Sequence, residues 1–348
     1  MFKSCFRLKF NVSNCKKLTS SFNKFHREIN TKANNMLETK LITGKNDIKS
    51  IVDDIDTIIS DCDGVTWIEK RPIEGAADFF KKMRSMGKRI VFATNNSTKS
   101  RESLLVKLNS LGFESTIDEV MVTSFATAIA LGKLSFTGKV FCLGSPVLRA
   151  DIESAGFNVV PPSSQINEDE EEAKLFNGDG IDYHAIPFDP DVSAVVIGMT
   201  YKVSAIKLIK ACTYISRVSP DLIMSTNTDF SFPGPKGVVI PGTGSYVQLI
   251  ENVTKRKMFS IGKPNKTFFE CIRHIHPTVN PDRTMVIGDR CDTDIAFGYN
   301  NGFKYKLLVG TGVNSLADVK QFADDKLEDL VPSHFAPSLN DLNLYLSD

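Results

Sequence analysis

Short β-branched and aliphatic runs recur from about Asp47 onward, separated by longer stretches whose apolar residues return every three or four positions. The first alternation reads as strands and the second as amphipathic helices. Ile55–Ser60 is the first strand, and Ala76, Phe79, Phe80 and Met83 mark a helix near Gly75–Met86. Arg89–Ala93 is the next strand. Ser97 or Thr98 offers a side-chain cap for the helix that runs through Leu104, Leu105 and Leu108 to Gly112. Glu119–Val122 and the stretch after Thr123 form a third strand and helix. A second block starts near Phe136, with strands at Lys139–Leu143, Phe157–Val160 and Val192–Ile197 and helices over Pro146–Ala155 and Ala205–Arg217. The first block then resumes with a helix through Phe268, Phe269 and Ile272, a strand at Arg283–Ile287 and a last strand at Lys304–Val309. This order predicts an α/β fold, a parallel sheet with helices on both faces. Its divisions are a basic segment over 1–35, core over 47–135, an inserted α/β block over 136–258 and core again over 259–348.

Three of the apolar runs break directly into polar residues suited to chemistry. Ile55–Ser60 gives way to Asp61-Cys62-Asp63-Gly64-Val65. Two carboxylates spaced i, i+2 leave a strand end on the same side, a costly arrangement unless a cation lies between them or one stays protonated. Such a pair suits a metal-assisted aspartyl nucleophile with its own acid/base partner. Arg89–Ala93 ends at Thr94-Asn95-Asn96-Ser97, and Arg283–Ile287 ends at Gly288-Asp289-Arg290-Cys291-Asp292-Thr293-Asp294, while Gly262-Lys263-Pro264 opens a helix in between. Open parallel sheets bind ligands outside the carboxyl ends of their strands, where these residues fall. Taken singly, Asp289 and Asp294 read equally well as helix N-caps, Thr94 as a locally satisfied hydroxyl and Lys263 as a solvated charge. Cys62 reads as a small residue on the opposite face of the strand from its acidic neighbours.

The four motifs in this order resemble the haloacid dehalogenase superfamily, and more closely its eukaryotic phosphoglycolate phosphatase, 4-nitrophenylphosphatase and pyridoxal phosphate phosphatase group. The similarity runs from about Lys49 to Val313 and includes Thr226-Asn227-Thr228-Asp229 and Pro241-Gly242-Thr243-Gly244. It implies a Rossmann-like core carrying a large inserted α/β cap, and a homodimer through that cap. It also implies Mg²⁺-dependent hydrolysis of small phosphate monoesters through an aspartyl-phosphate. On this resemblance Asp61 is the nucleophile and Asp63 the acid/base. The metal is held by a carboxylate oxygen of Asp61, the backbone carbonyl of Asp63 and the carboxylate of Asp289. Thr94, Asn95, Asn96 and Lys263 bind the phosphoryl group, and Asp294 acts either through metal-bound water or by orienting Lys263. A halide leaving group needs no acid, so the second carboxylate, Asp63, points to phosphate esters. The inserted block departs from the group at Gly198-Met199-Thr200, where the group commonly reads Gly, an aromatic or aliphatic residue and then Asp, and at Lys202 and Ala205, which replace a His and an aromatic. Lys202 would suit a substrate with its own carboxylate, such as 2-phosphoglycolate, or remain an exposed lysine at a helix start. Pyridoxal phosphate or protein phosphatase activity, and a non-catalytic binding module on the same fold, are the alternatives.

Composition narrows the setting. Residues 1–35 carry eight Lys/Arg and one acid, leaving 34 basic and 40 acidic residues, a net −6, over the rest of the 348-residue chain. A body of that charge is a poor nucleic-acid binder, so an anionic ligand must be drawn by a local positive site. The basic segment matches a mitochondrial transit peptide or a disordered tail, with Met36 an internal start, so the expected compartment is mitochondrial or cytoplasmic. Seven cysteines without a Cys-x-x-Cys pair argue against a disulfide framework or a structural zinc site. No apolar run reaches the roughly 18 residues of a membrane span. The five acids Glu168–Glu172 read as a solvated loop or an acidic docking loop.

Overall fold

The computed structural model describes residues 39–165, 168–177 and 180–347; the basic segment and Met36 lie outside them. In chain order the core strands are β1 (Lys40–Leu41), β2 (Thr57–Ser60), β3 (Arg89–Thr94) and β4 (Val120–Val122). A second set follows: β5 (Lys139–Leu143), β6 (Val159–Val160), β7 (Val192–Ile197), β8 (Ile223–Ser225) and β9 (Phe259–Ser260). The chain then returns with β10 (Thr284–Gly288), β11 (Tyr305–Val309) and β12 (His334–Ala336). The core sheet has the order β1-β12-β11-β10-β2-β3-β4 and the inserted cap sheet the order β9-β8-β7-β5-β6. Every pairing in both sheets is parallel. The cap sheet extends two residues past 258, because Met224 and Ser225 pair with Phe259 and Ser260.

Alternate residues of the central core strands enter different apolar clusters. Ile58, Ile90, Phe92, Met285 and Ile287 pack with Phe79, Phe80 and Met83 of the Ala76–Ser85 helix. Ile59, Val91, Ala93 and Val286 pack on the other side with Phe268, Phe269 and Phe297. A strand buried on both faces reads as a continuous apolar run rather than an alternation, which is what Thr57–Ser60 and Arg89–Thr94 show. The second cluster continues into the cap through Val140, Cys142, Leu148, Ala194, Val196 and Met224, so core and cap share apolar packing. The opposite face of the cap sheet buries Phe141, Val195, Ile197 and Tyr214.

Several local expectations change: β1 precedes the strand expected to come first, and β12 follows Lys304–Val309, expected to come last. Ile55 closes the Lys45–Asp54 helix, and the first core strand after it begins at Thr57. Ser100, not Ser97 or Thr98, caps the Arg101–Ser110 helix, accepting a hydrogen bond from the Ser103 N–H. Ser97 is wholly buried instead, its hydroxyl accepting from the Met199 N–H at 3.3 Å across the junction with the cap. Glu168–Ala173 is a short helix rather than a loop. The Glu172 carboxylate lies 3.9 Å from the Lys207 ammonium, a facing positive charge that relieves the repulsion within the run. Among the described residues no helix is long and apolar enough to cross a membrane.

Phe92 is fully buried, with ring centroids 5.0 Å from Phe80 and 5.7 Å from Phe113, both edge-on. Replacing it with Ala should cost about 3–5 kcal/mol, because the cavity cannot fully collapse between sheet and helix. Denaturant unfolding checks this, and a change under about 1 kcal/mol would contradict the packing account.

Candidate active site

The core sheet turns back on itself between β2 and β10. From β2 the chain builds outward through β3 and β4, while β10 leads the other way through β11 and β12. Loops leaving these two neighbours diverge, which opens a crevice at their carboxyl ends. Asp61 is the first residue past β2, tied there by its N–H to the Ile287 carbonyl at 2.8 Å. Asp289 follows β10 directly.

Two glycines let the surrounding loops close on Asp289. Gly64 has φ +80°, and a Cβ there would sit 2.3 Å from Asp289 Oδ2; one on Gly312 would sit 1.9 Å from the same atom. No other residue type fits that approach. The Val313 N–H donates to Asp289 Oδ2 at 2.9 Å, leaving the carboxylate 4% exposed. After Asp289, Cys291–Ile295 forms one wide π-type turn, which carries the Asp294 carboxylate back beneath Gly288.

Lys263 enters from the segment after β9, and its ammonium donates to Asp61 Oδ1 at 2.5 Å and to Asp294 Oδ1 at 2.7 Å. Asp294 thus holds the Lys263 ammonium directly. Carboxylate oxygens of Asp61, Asp289 and Asp294 lie within 4.8 Å of one another. Three carboxylates around one ammonium leave a deficit of two positive charges in a largely buried place. Burial pushes the Asp61 carboxyl well above the usual carboxylate range; Lys263 opposes this, while Asp294 and Asp289 add to it. Burial, reinforced by Asp294, pushes Asp289 up to about 7. Burial works against the charge of Lys263, but Asp294 and Asp61 outweigh it and hold the ammonium protonated. An all-oxygen donor set with this charge deficit fits a hard divalent cation such as Mg²⁺, which Asp61 and Asp289 would hold.

The other expected residues stand differently, and not all of them touch this cluster. Thr94 ends β3, nearly buried, its hydroxyl accepting from the Asn96 N–H at 3.1 Å. The Asn95 carboxamide clasps the Lys263 backbone, accepting from its N–H at 2.9 Å and donating to its carbonyl at 3.0 Å. The same amide donates to both Asp229 oxygens at 3.2 Å, which joins the motif after β8 to the lysine loop. Burial raises the Asp229 carboxyl, with Arg290 opposing. Asn96 is exposed, and its side chain accepts from the N–H and hydroxyl of Thr98 at 2.9 and 2.8 Å, a local turn rather than a contact with the cluster. Asp63 is exposed, with Oδ1 accepting from the Trp67 indole N–H at 2.7 Å.

Lys202 lies elsewhere. It lines a cap cavity of about 1210 Å³, together with Ser145, Tyr201 and Tyr214, and none of Asp61, Asp63, Thr94, Lys263 or Asp289 borders that space. Sequence reasoning missed the Asn95 clasp, the Trp67 contact and the Gly312–Val313 wall. Only Trp67 left a signal, as the single tryptophan four residues beyond an acid.

Comparison with known proteins agrees with this arrangement. Residues 58–158 match the family profile described as haloacid dehalogenase-like hydrolase, and residues 260–342 match a HAD-hydrolase-like profile. Glycerol-3-phosphate phosphatase of Mus musculus is 36% identical over 308 residues, covering 84% of this chain and 92% of its own length. Chronophin of Bos taurus is 32% identical over 308 residues, covering 86% of this chain and 96% of its own. The solved p-nitrophenyl phosphatase from Archaeoglobus fulgidus superposes with a TM-score of 0.68 at 28% identity, over 84% of this chain and 99% of that one. With its parallel core, its inserted cap and relatives matching over most of its length, this chain belongs to the haloacid dehalogenase-like hydrolases and is built as one of their phosphatases.

Proposed function

We propose that the chain is a Mg²⁺-dependent phosphomonoesterase that hydrolyses small aliphatic phosphate esters through an aspartyl-phosphate on Asp61. The observation that carries this reading is the cluster itself, with Asp61 and Asp294 sharing one lysine and Asp289 beside them. The ion would neutralise the repulsion between the anionic nucleophile and the anionic phosphate. An Asp61 oxygen attacks phosphorus as the bond to the leaving oxygen breaks, and Asp63 gives that oxygen a proton. Lys263, the Thr94 hydroxyl and the Asn95 N–H stabilise charge on the transferring phosphoryl oxygens. Water then attacks phosphorus, Asp63 takes its proton, and inorganic phosphate leaves with the Asp61 carboxylate restored. The similarity to glycerol-3-phosphate phosphatase and the cap inserted beside the site support a small ester rather than a folded protein as substrate.

Asp61→Asn should lower kcat by roughly 10⁵ or more while leaving cooperative unfolding intact; substantial residual turnover refutes the nucleophile assignment. Activity toward 4-nitrophenyl phosphate should vanish in EDTA and return with Mg²⁺. Specificity constants for glycerol 3-phosphate and 2-phosphoglycolate should exceed that for pyridoxal 5′-phosphate, and the reverse order would overturn the substrate class.

Metal-free stability should also depend on pH. Without a cation Asp289 in the folded chain gives up its proton around pH 7, whereas an ordinary carboxyl does so around 3.8. The folded state then binds more protons than the unfolded one, so stability falls as pH rises from about 4 to about 7. Saturating Mg²⁺ should abolish that fall, which thermal unfolding across pH with and without the ion would show.

A further inference from the structure

We propose that Trp67 is the positioning residue for Asp63, its indole N–H holding the carboxylate where it exchanges protons with the leaving oxygen and the attacking water. This rests on the reading of Asp63 as acid/base. The 2.7 Å bond from Trp67 Nε1 is the one hydrogen bond that this exposed carboxylate makes among the described residues, and it engages Oδ1, leaving Oδ2 to carry the proton. An indole N–H donates only and does not titrate, so it keeps its hold whether Asp63 is charged or protonated, in both halves of the reaction.

The ring that holds Asp63 is itself fixed on every side. It is 1% exposed and meets Phe113 edge-on at 6.5 Å. The Lys107 ammonium sits 3.7 Å above the ring and donates to the Glu69 carbonyl at 3.3 Å. The loop from Asp63 to Trp67 is wound tight: the Cys62 carbonyl accepts from the Thr66 N–H at 2.8 Å and hydroxyl at 2.6 Å, and the Gly64 N–H donates to the Trp67 carbonyl at 2.8 Å. A catalytic carboxylate on an exposed loop is thereby held by a rigid core residue, the support that preorganised sites require.

A purely structural tryptophan would weaken all substrates alike; a positioning residue for a general acid would not. An alkoxide needs a proton to leave, whereas 4-nitrophenolate leaves readily without one, and kcat/KM reports only the steps through the first irreversible one. Trp67 is the only tryptophan, so growth on 3-benzothienylalanine exchanges its N–H for sulfur at this one position and keeps the ring shape. That protein and Trp67→Phe are compared with Asp63→Asn on glycerol 3-phosphate and 4-nitrophenyl phosphate. Both Trp67 replacements should lose about tenfold or more in kcat/KM on glycerol 3-phosphate and less than about threefold on the nitrophenyl ester, with Asp63→Asn showing the same selectivity more strongly. If Asp63→Asn is selective while the benzothienyl protein loses nothing, or loses equally on both esters, the positioning role of Trp67 is overturned and the acid stands. If Asp63→Asn itself shows no selectivity, the acid reading falls and the Trp67 proposal falls with it.

Discussion

The Lys263 ammonium, closed between Asp61 and Asp294 with 2% of its surface exposed, is the interaction on which the site depends. A buried lysine is expensive to desolvate and stays charged only when carboxylates stand against it. Here two do, and Asp289 beside them tips the balance negative. Either protons or a dication must make up the difference. The sites of Asp61 and Asp289 favour protons when no cation is present, and on the proposed reading they would give those protons up to a bound cation. Stability of the fold and readiness for chemistry are therefore linked through one charge count.

The parallel sheet makes that convergence possible. Asp61, Lys263 and Asp289 are far apart along the chain, yet β2 and β10 are neighbours and their loops leave in opposite directions. The cap strands end in the segment that delivers Lys263, and Asn95 from the neighbouring β3 loop grips the lysine backbone from the core side. Through Asp229 the same amide reaches the loop after β8, so the position of the lysine is set jointly by core and cap.

Much of this was legible in the sequence. Runs such as Arg89–Thr94 and Val192–Ile197 are apolar because both faces of their sheets are covered, and the polar residues directly after Ser60, Thr94 and Gly288 mark strand ends around the acid–lysine cluster. The acids and the lysine could be named because one type of chemistry needs all of them. What the sequence could not carry was contact between loops. Gly312 and Val313 matter only because they pack on Asp289, and Asn95 because its side chain finds Lys263. Lys202 shows the same limit: periodicity places it near the helix that Ser204 caps but does not say which cavity that start borders. The acidic run resembles a loop in sequence because its repulsion is visible there, while the opposing Lys207, some 35 residues later, is not.

Calorimetric titration of the substrate-free protein with Mg²⁺, repeated in buffers of different ionisation enthalpy near pH 6.5, tests the charge count most directly. The account predicts one ion bound per chain with net proton release, and loss of that binding in Asp289→Asn. An Asp289→Asn protein that binds Mg²⁺ as the wild type does, or wild-type binding without proton release, would contradict it.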